Sequence, residues 1–138
     1  MSELSKNYLD KMFPGHHSKL SETDPDFIQL FNNFAFDEVV SNDNLDDRTR
    51  MMAILATLIG SQSIDEYKEM LPAALNLGVT PVEAKEIIYQ AVAYLGIGRV
   101  LPFLTAANDI LISGGIKLPL ESQATTTAAD RLIKKALS

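Results

Sequence analysis

The residues of this chain that could do chemistry are few, and their types narrow the reactions open to it. Cysteine is absent from all 138 residues. That removes a disulfide framework, a thiolate metal site and a cysteine nucleophile together, and with them a self-contained thiol peroxidase. The two histidines, His16 and His17, are adjacent in a polar stretch and could ligate a metal. No third ligand stands at a recognisable spacing, so no metal site is expected. Asp43, Asp46 and Asp47 form a carboxylate cluster that lacks the Gly and closing Glu of a calcium loop, and helix capping accounts for it better. Arg50 could grip a substrate carboxylate bidentately, although Asp46 and Asp47 stand at helical spacing for an ion pair with it. Met51, Met52 and Met70 suit irregular apolar space, as core or as the wall of a pocket.

Helices must position these groups, because apolar residues recur at spacings of three and four and the breakers fall between those runs. Six or seven helices are expected. A weak one around Ser5 to Phe13 ends at Pro14-Gly15. In the next, Asp24 can cap and Pro25 suits the first turn, and Phe27, Leu30, Phe31, Phe34 and Val39 form an apolar stripe reaching about Val40. After the turn Ser41 to Asn44, Asp46 or Asp47 opens a helix whose stretch Met51 to Ile59 is apolar on nearly every face. This suggests the centre of a bundle or burial against another subunit.

Ser63-Ile64-Asp65-Glu66 has the spacing of a capping box, in which hydroxyl and carboxylate reciprocally satisfy free N–H groups at a helix start. That helix runs to about Leu77, with Pro72 giving a kink or a later start. Thr80-Pro81-Val82-Glu83 is the strongest boundary, and Ile87, Ile88, Ala91, Val92 and Leu95 face inward behind it. Gly96-Ile97-Gly98 breaks the helix, and another runs from about Arg99 to Ile112, with Pro102 in its first turn. Residues 1–116 thus read as one all-α domain. Residues 117–138 read as a linker and a short C-terminal helix that has little to bury alone and docks on a neighbouring subunit.

Composition supports a single globular domain, with 46% hydrophobic and 22% charged residues, seven glycines and six prolines. A net charge of −6 repels phosphate backbones and anionic membranes, so neither nucleic acid nor a membrane is an expected partner. Arg131, Lys134 and Lys135 read as a solvated helix face. The polar start and the short apolar run Met51 to Gly60 give neither a signal peptide nor a transmembrane span, and a cytoplasmic location is the expectation.

Leu45-Asp46-Asp47-Arg48-Thr49-Arg50, then Ala73-Ala74-Leu75-Asn76-Leu77-Gly78-Val79-Thr80-Pro81-Val82-Glu83, then Tyr94-Leu95-Gly96-Ile97 resemble the carboxymuconolactone decarboxylase family in residues and spacing, over roughly Leu45 to Leu111. Asp24-Pro25-Asp26-Phe27 resembles the extra N-terminal helix of its longer members. The resemblance implies an alkyl hydroperoxidase D-like helical bundle, helices paired into trimers or hexamers, and one of two chemistries. One branch is peroxidatic through Cys-x-x-Cys with a Glu and a His; the other decarboxylates a muconolactone without cysteine.

On this sequence the two cysteine positions fall at Ser63 and Glu66, the upstream Glu at Met51 and the downstream His at Met70. All four are replaced. The decarboxylase branch also tends to keep a His at the place of Met70 and often one at Gln90. Without an imidazole, proton transfer falls to Glu66, Glu69, Tyr67, Tyr94 or Gln90, and of these only the carboxylates can be tuned towards neutrality by burial. A surviving family cavity would be walled by Met51, Glu66, Met70, Gln90 and Tyr94. No cofactor is implied.

Two functions compete on these residues. In the first, the protein acts on a small carboxylate or lactone with Glu66 as proton donor and Arg50 or Tyr94 orienting the acid. In the second, it is a non-catalytic oligomeric binding or assembly subunit. The tail Leu120 to Leu132, with Thr125-Thr126-Thr127, further resembles the linker of tandem family members, which implies a second family domain or chain as partner.

Overall fold

A computed structural model of the chain describes residues 1–15, 17–42, 44–123 and 128–138. Four helices form its centre: α5 (Asp47–Gly60), α6 (Ile64–Asn76), α7 (Pro81–Leu95) and α8 (Ile97–Ser113). Both α5 and α8 pack on α6 and on α7, so the four helices close into a ring. On α5 the inward side chains are Met51, Leu55 and Ile59, spaced by four so that they lie one above another on a single face. They meet Tyr67, Met70, Leu71 and Ala74 of α6, Ile88 of α7 and Phe103 of α8 in one core. Burial of each large side chain contributes roughly 1.5–3 kcal/mol. The all-α bundle expected from the periodicity is what the chain forms.

The ends of these helices show why the chain folds locally as it does. Asp46 caps α5 by accepting from the Thr49 N–H at 3.0 Å, and its carboxyl is held below the usual range by that bond. Thr80 and Glu83 complete a capping box on α7, at 3.1 and 3.0 Å. Glu83 also receives the Arg48 guanidinium, tying the start of α7 to α5. Gly78, with φ of 101°, ends α6, in a conformation that side chains other than glycine seldom take.

An N-terminal layer lies over the ring. α1 (Glu3–Met12) packs on α6 through buried Tyr8 and Met12, and the Met12 carbonyl accepts from Asn76 Nδ2 at 2.9 Å. α2 (Leu20–Thr23), α3 (Pro25–Asn33), a π-helical turn (Phe34–Glu38) and α4 (Val39–Ser41) follow. The Ser2 N–H donates to Asp37 at 2.8 Å and ties the start of α1 to the π turn.

Several expectations from the sequence need correction. Phe27, Leu30, Phe31, Phe34 and Val39 do not bury their stripe: all are exposed, and Phe36 is the buried aromatic of this segment. The π turn accommodates an extra residue per turn and shifts the register, bringing Phe36 against Tyr8 (6.3 Å) and edge-on to Phe31 (5.6 Å). Ser63 precedes α6 but makes no capping bond. Its ψ of 72° lies away from the extended geometry a cap needs, and its hydroxyl pairs with Ser61 at 2.8 Å. Asp24 likewise caps nothing, because its carboxylate takes the Thr23 hydroxyl at 2.7 Å. Finally, α8 starts directly after Gly96, so Pro102 lies inside the helix rather than in its first turn. On α6, the start at Ile64 leaves Pro72 well inside the helix.

Met51 to Ile59 is buried on one face only, with Ala53, Ala56 and Thr57 exposed on the other. α9 (Ala128–Leu137) forms, as expected for the tail; Thr125, Thr126 and Thr127 lie outside the described residues. Among the described residues no helix is long and apolar enough to cross a membrane.

One polar atom in the core stands out. Tyr67 packs edge-on against Phe103 with ring centroids 5.2 Å apart, and its buried hydroxyl has no hydrogen-bond partner among the described residues. An unpaired buried hydroxyl costs roughly 1–3 kcal/mol. Tyr67→Phe is therefore expected to raise the melting temperature in a thermal scan. A lowered one would show that the hydroxyl makes a bond in solution.

Candidate functional site

The residues singled out from the sequence fall into three places. Arg50 and Met51, on the first turns of α5, meet Tyr8 of α1. The Tyr8 hydroxyl approaches Met51 Sδ at 3.8 Å, and Arg50 donates to Asp47 Oδ1 at 3.1 Å and to the Leu45 carbonyl at 2.7 Å. The Arg50 side chain is only 11% exposed. Burial pushes the Tyr8 hydroxyl above its ordinary pKa, and a hydrogen bond from Arg50 partly opposes that rise. The guanidinium is thus held by protein groups. Of the two readings of Arg50, the ion pair with Asp47 is the one its contacts display, while one edge of the cluster remains open to solvent.

The second place is the start of α6. Ser63 and Glu66 flank it, and Met70 lies one turn beyond Glu66 with its side chain in the core. Glu66 is exposed as a residue, yet its carboxyl is partly desolvated, and this pushes its pKa above the ordinary glutamate value; the negative charge of Glu69 adds to the rise. A general acid needs a shift in this direction.

The third place is the outer face of α7, where Gln90 and Tyr94 stand one turn apart and both point to solvent; Tyr94 is 91% exposed. A single chain therefore does not gather Met51, Glu66, Met70, Gln90 and Tyr94 around one cavity. Met51 and Met70 close the inside, and Gln90 and Tyr94 line the outside.

Two clefts open elsewhere. One, of about 660 Å³, lies between the end of α6 and the end of α8, near Pro72, Asn76 and Ile116. The other, of about 490 Å³, lies between α7, Asn108 and the segment 118–123. Lys85 lines it, bonded to Asn108, and burial lowers the pKa of its ammonium. Neither Tyr8 nor Lys85 was singled out from the sequence. Lys85 stands three residues before Ile88 on the inward side of α7, and a charged residue on an apolar face was the available signal. Tyr8 stands four residues before Met12 in the weakly patterned first helix and carried no comparable signal.

Among the described residues no group of three or more His, Cys, Asp or Glu could hold a metal ion. His16 and Asp43 lie outside those residues. Asp46 and Asp47 are engaged as the cap of α5 and the partner of Arg50.

A ring of four helices, with no cysteine at the start of α6 and a capped Thr-Pro-x-Glu opening of α7, defines an all-α helical bundle. Residues 25–109 match the model of the carboxymuconolactone decarboxylase family. A 4-carboxymuconolactone decarboxylase of Acinetobacter baylyi is 35% identical over 97 residues, covering 70% of this chain and 72% of that protein. The chain belongs to the carboxymuconolactone decarboxylase family. The matched region begins at Pro25, so α3 and the π turn are part of the family domain.

Arg50→Lys separates the two readings of that residue. A lysine cannot reproduce the forked contacts to Asp47 and Leu45, and the expected result is a loss of roughly 1–2 kcal/mol in denaturant unfolding. Unchanged stability would return Arg50 to the role of a ligand group.

Proposed function

We propose that the protein is a decarboxylase-like enzyme acting on a small carboxylate or lactone, with Glu66 as its proton donor. The observation that carries this reading is the position of Glu66 in the first turn of α6, where the family resemblance implies a reactive residue, with its partly desolvated carboxyl raised in pKa and Glu69 adding to the rise. The decarboxylase name of the Acinetobacter baylyi relative supports the reaction class, and 4-carboxymuconolactone is the first substrate to test. In such a reaction the C–C bond to the carboxylate breaks and CO₂ leaves. The electron pair passes into the lactone conjugation as an enolate, and the carbon is then protonated by the Glu66 carboxyl, which recovers its proton from water. Tyr94 and Gln90 are the polar handles proposed to orient the acid, with Ser63 at the wall, Met51 and Met70 backing it from the core, and Arg50 serving only if substrate displaces its Asp47 contact.

The outward placement of Gln90 and Tyr94 favours a site completed between copies in a homo-oligomer, a trimer or hexamer. The same exposure favours a second reading, a non-catalytic oligomeric binding or assembly subunit, with a further family domain or chain among its partners. CO₂ release separates the two. Under the enzyme reading, Glu66→Gln loses at least 100-fold in turnover, the low end of what general acid catalysis contributes, about 10²–10⁴-fold. Glu69→Gln keeps activity but moves the alkaline limb of the pH–rate profile to lower pH: removing the neighbouring negative charge lowers the Glu66 pKa, so the acid form is lost sooner as pH rises. Equal turnover in the wild type and Glu66→Gln sinks Glu66 as donor, and absence of turnover on any lactone or carboxylate favours the assembly subunit.

A further inference from the structure

The chain buries one cation without giving it an opposite charge. Lys85, on the inward side of α7, is 9% exposed, and its ammonium donates to Asn108 Oδ1 of α8. Among the described residues no carboxylate forms an ion pair with it. The other well-buried cation of the bundle, Arg50, has Asp47 as its partner. Buried charges are ordinarily paired, because taking an ion out of water is costly and only an opposite charge or several hydrogen bonds offset it. A brace between α7 and α8 needs no charge at all, since an amide on each helix would make the same bond. Desolvation lowers the pKa of the Lys85 ammonium, as it does for a cation that lacks a counter-charge.

Lys85 also lines the cleft of about 490 Å³ under the segment 118–123. That volume falls within the roughly 300–1,000 Å³ of small-ligand sites. An ammonium has three N–H donors and no acceptor, so two donors remain beyond the bond to Asn108. The same bond fixes the Asn108 amide with its oxygen towards Lys85, which leaves its NH₂ without a bonded partner among the described residues. The Tyr89 hydroxyl adds a third donor group to the lining. Between them run the half-buried apolar side chains of Val82, Leu118 and Leu120. Glu86 and Glu121 line the cleft as well, both exposed, and with the net charge of −6 they disfavour a polyanion such as a phosphate ester. We propose that this cleft binds a small monocarboxylate with an apolar body, its carboxylate held between the Lys85 ammonium and the Asn108 amide and its body along Val82, Leu118 and Leu120. The cleft shares none of the residues of the proposed decarboxylation site, so the assignment does not rest on Glu66 as a proton donor.

Octanoate serves as the probe, and octanamide, the same body without the charge, as its control. Titration calorimetry on the full-length protein is expected to show saturable one-to-one binding of octanoate, at least about tenfold tighter than octanamide, the factor that a hydrogen bond to a charged group carries. In the proton–nitrogen correlation spectrum the Asn108 side-chain amide, assigned by its loss in Asn108→Asp, is expected to shift on addition of octanoate. Asn108→Asp supplies the missing counter-charge from the protein itself and is expected to abolish octanoate binding, with circular dichroism showing the fold kept. Lys85→Met removes the cation and is expected to weaken octanoate at least about tenfold while leaving octanamide as it was. A loss confined to octanoate separates recognition of the charge from damage to the fold, which would weaken both probes. Octanoate that fails to saturate at millimolar concentration, binds no tighter than octanamide, leaves the Asn108 amide unmoved, or keeps its affinity in both variants overturns the proposal.

Discussion

The structure depends on the stripe Met51, Leu55 and Ile59. These three side chains, four residues apart, turn one face of α5 into the wall that α6 and α7 share, and α8 then closes the ring from the far side. The positions of the candidate residues follow from that packing. It fixes the first turn of α5, and so Arg50 and the Asp47 that holds it. It sets where α6 begins, and so Glu66. The Arg48 to Glu83 pair then locks the opening of α7 to α5 from outside the core, and because Glu83 is also the cap of α7, one carboxylate serves both the helix start and the helix pairing.

Most of the bundle was legible in the residues. The boundaries of α5, α6 and α7 follow from Asp46, Gly78 and the Thr80-Pro81-Val82-Glu83 box, because caps and breakers are local and their partners stand within a few residues. The Phe-rich segment differs for the opposite reason. Its period is helical, but period alone does not say what lies opposite an apolar face. Phe27, Leu30 and Phe34 face solvent, and a π turn that no pattern announced brings Phe36 inward. Ser63 failed as a cap because the preceding turn places Gln62 at a φ of 61° and gives the Ser63 hydroxyl a closer partner in Ser61.

The candidate positions can be read one by one from the sequence, but their arrangement cannot. The family positions on α5, α6 and α7 can be found by spacing, but whether they converge depends on how the helices rotate about their own axes. Here that rotation turns Met51 and Met70 inward and Gln90 and Tyr94 outward. With no cysteine in the chain and no histidine on α5 to α8, Glu66 is the carboxyl whose proton affinity rises, through partial desolvation with Glu69 adding to it.

The measurement that bears most directly on this account is a carbon-detected NMR titration of the glutamate side-chain carboxyls in the intact protein, with Glu66 assigned by its loss in Glu66→Gln. The account predicts a Glu66 midpoint above the ordinary glutamate value that falls when Glu69 is replaced by Gln. A Glu66 carboxyl titrating at the ordinary value and indifferent to Glu69 would contradict its role as the tuned proton donor.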